Sequence, residues 1–147
     1  TAAATAAASA VAAGLARAAD PPAAQSVSLS VFSKHLQHLD YRALAGTVAE
    51  AGFDGIDLTV RTGGHVLPER VRDDLPKAVD EARAAGLAVP MITTTIVSAR
   101  DPYAEAILET AGRLGVRDYR LGWLPYDQKL GITVDAVVAA AKAIQAR

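Results

Sequence analysis

An α/β fold of alternating strands and helices is what this sequence predicts, and three observations predict it. First, an Ala-rich amphipathic stretch ending in Gly and followed by a run of β-forming residues occurs three times. Ala51-Gly52-Phe53 leads into DGIDLTV, Ala85-Gly86-Leu87 into AVPMITT, and Leu114-Gly115-Val116 into RDYRLGW. Second, these glycines recur at about thirty residues, the length of one helix, one strand and two loops. Third, Gly accepts the left-handed conformation just beyond a helix C-terminus, so each repeat ends where a helix should end. Strict alternation of this kind requires parallel strands joined by helical crossovers.

The elements follow in order. Val27 to Phe32 form the first strand, in which Val27, Leu29 and Val31 alternate with Ser28 and Ser30. Asp40 is a good N-cap for a first helix reaching Ala51, with Leu44, Val48 and Ala51 on one stripe. Gly55 to Val60 form the second strand. The second helix is predicted to begin near Pro76, a residue suited to a first turn, behind Asp73 or Asp74, and to end at Ala85. Pro68-Glu69-Arg70-Val71 before it reads as a separate helical turn. Ala88 to Thr94 form the third strand. Asp101 is expected to cap a third helix, with Pro102 at its first position and Ile107, Leu108, Ala111 and Leu114 on its apolar stripe. Asp118 to Leu121 form the fourth strand. A fourth helix opens at Thr133 with Val134, Val137, Val138, Ala141 and Ile144 on one face.

Two architectures accommodate four such units: an open doubly wound sheet, or a partial (β/α)8 TIM barrel, its amino-terminal half, since a whole barrel needs about 250 residues. The polar alternation of the first strand fits a barrel, whose strands have one face inward and one against helices. Strands of an open parallel sheet more often read as unbroken apolar runs.

Composition narrows the functional classes. The chain has 147 residues, 15 Lys+Arg against 16 Asp+Glu, and a formal net charge of −1, without the basic excess of a nucleic-acid surface or a polybasic membrane anchor. The absence of Cys excludes a disulfide framework, a Cys-ligated zinc and a thiol nucleophile. No strongly apolar run approaches the ~18 residues of a membrane span.

Residues 1–25, TAAATAAASAVAAGLARAADPPAAQ, are nearly all Ala, with Val11 and Leu15 the only branched aliphatics. Ala16-Arg17-Ala18 matches the small-x-small pattern of a signal-peptidase site, and Asp20-Pro21-Pro22 would end any helix. The segment reads as an export leader, which would place residues 26–147 in the periplasm. The alternative is an Ala/Pro linker and a cytoplasmic chain.

In either architecture chemistry sits at the carboxyl ends of the strands. Asp57 lies between Ile56 and Leu58, so alternation turns it to the opposite face from both, where a buried carboxylate must be paired or hydrogen-bonded. It is a structural pair or a substrate contact. Arg61 and Arg120 stand at strand ends and could clamp a phosphate or carboxylate through forked donors, or form surface ion pairs. His65 follows Gly63-Gly64, which would let backbone approach a ligand, although a lone loop His is commonly just solvated. Phe32, Ser33, Lys34 and His35 follow the first strand, and Thr93, Thr94 and Thr95, at the end of the third, are β-formers first and hydroxyl donors second; Trp123 could floor a sugar pocket or cover a rim. His35 and His38 could share a metal but have no third ligand nearby. No GxGxxG, P-loop, HExxH or GxSxG is present.

The run AGFDGIDLTVRTGGHVLPERVRDDLPKAVDEARAAGLAVPMITT, with ILETAGRLGVRDYRLGWLPYD after it, resembles the xylose isomerase-like barrels known as sugar phosphate isomerases/epimerases. The likeness covers residues 26 to about 127. It implies an eightfold barrel that holds a divalent cation (Mn, Mg, Co or Zn) at its mouth and moves a proton between adjacent carbons of a carbohydrate, with carboxylates as acid and base. In that family the metal ligands lie chiefly on strands five to eight, beyond this stretch. By analogy Asp57, Arg61, His65, Thr94, Arg120 and Trp123 would line the substrate side, and none would bind metal. Apurinic-endonuclease relatives carry metal-binding His on strands three and four, where this chain has Thr94 and Gly122-Trp123, so nucleic acid is not an expected partner. The expectation is therefore a fragment that contacts a small carbohydrate, is inactive alone, has no membrane span, and self-associates through open sheet edges. A complete small α/β ligand-binding module without catalysis is the rival expectation.

Overall fold

The computed structural model describes residues 27–124, 127 and 132–146; the leader assigned to residues 1–25 lies outside them. The described chain runs β1 (Ser30–Phe32), α1 (Tyr41–Glu50), β2 (Gly55–Val60), α2 (Val71–Ala84), β3 (Ala88–Thr94), α3 (Ala104–Arg113), β4 (Asp118–Arg120) and α4 (Val134–Gln145), with 3-10 turns at Ser33–Leu36 and Pro68–Arg70. The repeat glycines do what their position requires: Gly52, Gly86 and Gly115 follow α1, α2 and α3 at φ of 79°, 79° and 77°, a region that side chains strain to enter.

All four strands are parallel, in the order β1-β2-β3-β4. A sheet that always advances in one direction through right-handed crossovers carries its helices on one face, and α1 packs on α2 and α2 on α3 accordingly. The register then sorts the side chains. Val31 pairs with Ile56, Leu58 with Ile92, and Ile92 with Tyr119, so these residues share the helix-covered face. Phe32 pairs with Asp57, Asp57 with Met91, Thr59 with Thr93, and Thr93 with Arg120, so these share the other.

In part of a (β/α)8 barrel the face turned away from the helices is the concave one, and four βα units in sequence order with the helices on one side are that architecture. Across this second face the Arg120 guanidinium of β4 reaches to 5.6 Å from the centroid of the Phe32 ring of β1.

The core lies between the helices and the outer face of the sheet: Leu44 and Val48 from α1, Leu75, Val79 and Ala82 from α2, Ile107 and Ala111 from α3, against Ile56, Leu58, Val60 and Ile92, all buried. Each Leu, Ile and Val among them contributes about 1.5–3 kcal/mol on removal from water. α4 is the exception. Ile144 is fully buried, but Val134 and Val138 on the same helix are 59% and 43% exposed.

Three element starts differ from expectation by more than one residue. β1 is only Ser30–Phe32, because the strand pairs as far as β2 offers partners, and Val27 is left 93% exposed. α2 begins at Val71, continuous with the Pro68–Arg70 turn, and Pro76 lies inside it. Proline there forfeits one backbone hydrogen bond, but starting at Val71 puts both Val71 and Leu75 into the core, and that burial outweighs the lost bond. α3 begins at Ala104: the Asp101 carboxylate accepts from the Tyr103 amide at 3.0 Å and closes a turn ahead of the helix. By contrast Asp40 and Thr133 are the caps expected, accepting from the amides of Ala43 and Ala136.

Candidate binding site on the concave face

The sequence DGIDLTV folds as a strand buried on both faces, so the carboxylate of Asp57 has no choice but to point inward. It is 8% exposed. Its partner comes from the neighbouring strand: the Thr93 hydroxyl lies 2.8 Å and 2.9 Å from its two oxygens and donates to them. Burial pushes the Asp57 carboxyl above its ordinary value, while the bond from Thr93 and the positive charge of Arg120 pull it back only in part. Arg120 is exposed at the end of β4, forms no ion pair with Asp57, and lies over Phe32. The concave face therefore presents a half-satisfied acceptor, an exposed forked cation and an aromatic ring on one surface. That combination suits a small polar ligand whose hydroxyl groups bond Asp57 and whose negative or carbonyl oxygens meet Arg120.

A second cluster is built on the loop after β2. Val66 rejoins the strand through a bridge to Val60, and the Arg61 and Val66 backbones bond one another and Thr59. The return is tight enough that a Cβ on Gly64 would sit 3.0 Å from the carbonyl oxygens of both Arg61 and Thr59. Inside it, the Thr59 hydroxyl accepts from the His65 amide at 3.0 Å and stands 3.3 Å from its Nδ1, while Ser33 Oγ accepts from the Thr59 amide at 2.9 Å. The Tyr41 hydroxyl donates to the His65 carbonyl. Burial lowers the His65 pKa, against the carbonyls of Leu36 and Leu39, which favour the charged ring. The bond between the Thr59 hydroxyl and His65 Nδ1, with the His65 amide on the same hydroxyl, pins the loop to the end of β2. A cavity of about 210 Å³ opens beside it, lined by Gln37, Leu39, Asp40, Tyr41, Gly64 and His65.

Of the six residues singled out from sequence, the structure brings Asp57 and Arg120 together on the concave face. Arg61 and His65 share the loop after β2, where Arg61 Nε is buried with no hydrogen-bond partner among the described residues. Thr94 is on the opposite face: its register partner is Val60, and its hydroxyl donates to the Arg120 carbonyl and accepts from the Ile96 amide, tying the ends of β3 and β4 together. Trp123 is 83% exposed. Thr93 and Phe32 stood among the strand-end residues in the sequence but were not among the six singled out. The signal for them was the strand register: once β2 and β3 are aligned, the inward residue beside Asp57 toward the carboxyl end is Thr93 rather than Thr94.

Among the described residues no group of three or more His, Asp or Glu side chains could hold a metal ion, so the divalent cation implied by the resemblance has no ligand set here. No helix among these residues is long and apolar enough to cross a membrane. Comparison of the chain with protein-family models found no match, and comparison with curated proteins found none either.

Proposed function

We propose that this chain is the amino-terminal half of a sugar isomerase/epimerase-like barrel and that its concave face contacts a small carbohydrate or sugar phosphate without transferring a proton by itself. The observation that carries the reading is Asp57, a buried inward carboxylate held by Thr93 within the influence of the Arg120 charge. Asp57 accepts a ligand hydroxyl, Arg120 meets the phosphate or carbonyl oxygen, and the Phe32 ring backs the apolar face of the sugar. Proton transfer between neighbouring carbons needs a second acid–base group and, in the family it resembles, a divalent cation. Both belong to the part of the barrel beyond β4. Export through the Ala-rich leader to the periplasm is part of the same proposal.

Titration of the chain with a panel of pentoses, hexoses and their phosphate esters, followed by NMR shifts and calorimetry, tests it. The expected result is binding with Kd of about 1–10 mM. Asp57→Asn weakens every ligand, and Arg120→Gln weakens the phosphate esters most. Binding indifferent to both substitutions, or none at about 50 mM, overturns the site. Isomerase activity of this chain with added Mn or Co overturns the claim that it is half a catalyst.

A further inference from the structure

Among the described arginines Arg61 alone is half-buried; the others are exposed. It is also without a partner. Its side chain makes no ion pair and no hydrogen bond among the described residues, and its Nε is buried with nothing to donate to. No acidic residue stands between Asp57 and Glu69 in the sequence. A cation drawn partly out of water beside no anion costs free energy, yet the loop is built to keep it there. The Gly64 amide donates to the Arg61 carbonyl at 2.8 Å and closes a turn whose third residue, Gly63, has a φ of 65°, a position that calls for Gly. Gly64 itself lies against the arginine stem: a Cβ there would stand 3.1 Å from Arg61 Cγ and 3.0 Å from the carbonyl oxygens of Arg61 and Thr59.

The position of this cation gives it a use. Arg61 follows Asp57 and Thr59 at two-residue steps, and its amide donates to the Val66 carbonyl just beyond the end of β2. Alternation therefore places it at the carboxyl rim of the concave face. Thr59, Thr93 and Arg120 are in register, so Arg61 stands about 7 Å beyond the level of Arg120 along the strands, and two strand spacings, about 10 Å, away across them. From β4 the Arg120 guanidinium leans toward β1, to 5.6 Å from the Phe32 ring, and β2 lies between those two strands in the sheet. Two forked cations thus approach the carboxyl end of β2, one from the rim and one from β4, with Asp57 deeper on the same strand. A pair of forks suits an anion that offers oxygens on several sides.

We propose that Arg61 and Arg120 bracket the phosphate of a phosphorylated carbohydrate, and that Arg61 is the residue that selects the ester over the free sugar, with Gly64 positioning it. The inference rests on the carbohydrate reading for the sugar, but not for the phosphate. Asp57 accepts a sugar hydroxyl, and the phosphate oxygens accept from both guanidinium groups. Orthophosphate shares the anionic chemistry and binds the same two arginines without the contact to Asp57.

Calorimetric titration of the full chain with ribose, ribose 5-phosphate and orthophosphate tests it, with the Nε–H resonance of Arg61 followed by NMR. The expected result is that the ester binds about 10-fold tighter than ribose and that ester and orthophosphate, but not ribose, move the Arg61 resonance. Arg61→Gln removes the advantage of the ester and leaves ribose binding unchanged. Because the side chain has no partner in the fold, this variant melts at no lower temperature than the parent. Arg61→Lys keeps the charge without the fork and retains part of the advantage. An advantage that survives Arg61→Gln, a resonance unmoved by the ester, or a loss of ester binding accompanied by a lower melting temperature would each overturn the proposal. Ester and orthophosphate binding equally well, with both lost in Arg61→Gln, would uphold the phosphate anchor and overturn only the carbohydrate reading.

Discussion

Replacing Thr93 with Val keeps the shape of the side chain and removes the one hydroxyl that bonds the Asp57 carboxylate among the described residues, at 2.8 Å and 2.9 Å. A hydrogen bond to a charged group contributes about 1.5–3 kcal/mol, and both partners here are at least nine-tenths buried, so Thr93→Val should cost about 2 kcal/mol at pH 7. The loss must depend on pH. Burial holds the folded-state pKa of Asp57 above 3.8, and Thr93 is the largest influence opposing that rise. Removing it lifts the pKa further. As pH falls through that raised value the carboxyl gains its proton, the uncompensated charge disappears, and the two proteins converge. The same sign applies to Asp57 itself: a raised folded-state pKa means that the ionised group weakens the fold at neutral pH and ceases to do so in acid. Asp57→Asn should therefore be at least as stable as the parent at pH 7. Urea unfolding of the parent, both single variants and the double variant, at pH 7 and again below 3.8, measures all of this, with a coupling of about 1–2 kcal/mol at pH 7 in the double-mutant cycle. Equal losses at both pH values, or additive single effects at pH 7, would refute the reasoning.

Leu75, fully buried where α2 meets the sheet, should cost about 3 kcal/mol when truncated to Ala, seen as a thermal midpoint lower by about 10 °C. His65 titrates in the opposite sense to Asp57. Its folded-state pKa lies below the ordinary 6.5, so the unfolded chain takes up the proton first, and stability falls as pH drops below 6.5. The parent should lose stability between pH 7 and pH 5, and His65→Gln should flatten that slope.

Much of this fold is legible in the residues because local and tertiary preferences agree. β2 and β3 occupy their expected limits, Gly55–Val60 and Ala88–Thr94, since both are framed by a helix-ending Gly and a polar exit. Where the two disagree, tertiary burial prevails. Pro76 is a good first-turn residue locally, yet the helix starts five residues earlier to bury Val71. Val27 and Leu29 have strand character, but only Ser30–Phe32 meet partners on β2. The site was legible to the same extent. Alternation within β2 alone turned Asp57 inward, whereas choosing Thr93 over Thr94 needs the alignment of two strands, with its irregularity between Gly55 and Asp57. Nothing in the spacing of His65 marked it as the peg of its own loop, because the Thr59 and Ser33 groups that hold it come together only through β1–β2 pairing.

Because Gly52, Gly86 and Gly115 leave their helices at nearly the same positive φ, a side chain at any of the three meets the same backbone penalty, even at Gly52 and Gly86, where a Cβ would stand in open space. The restraint at these junctions is conformational and not steric, which ties the exit of each helix to residue type alone.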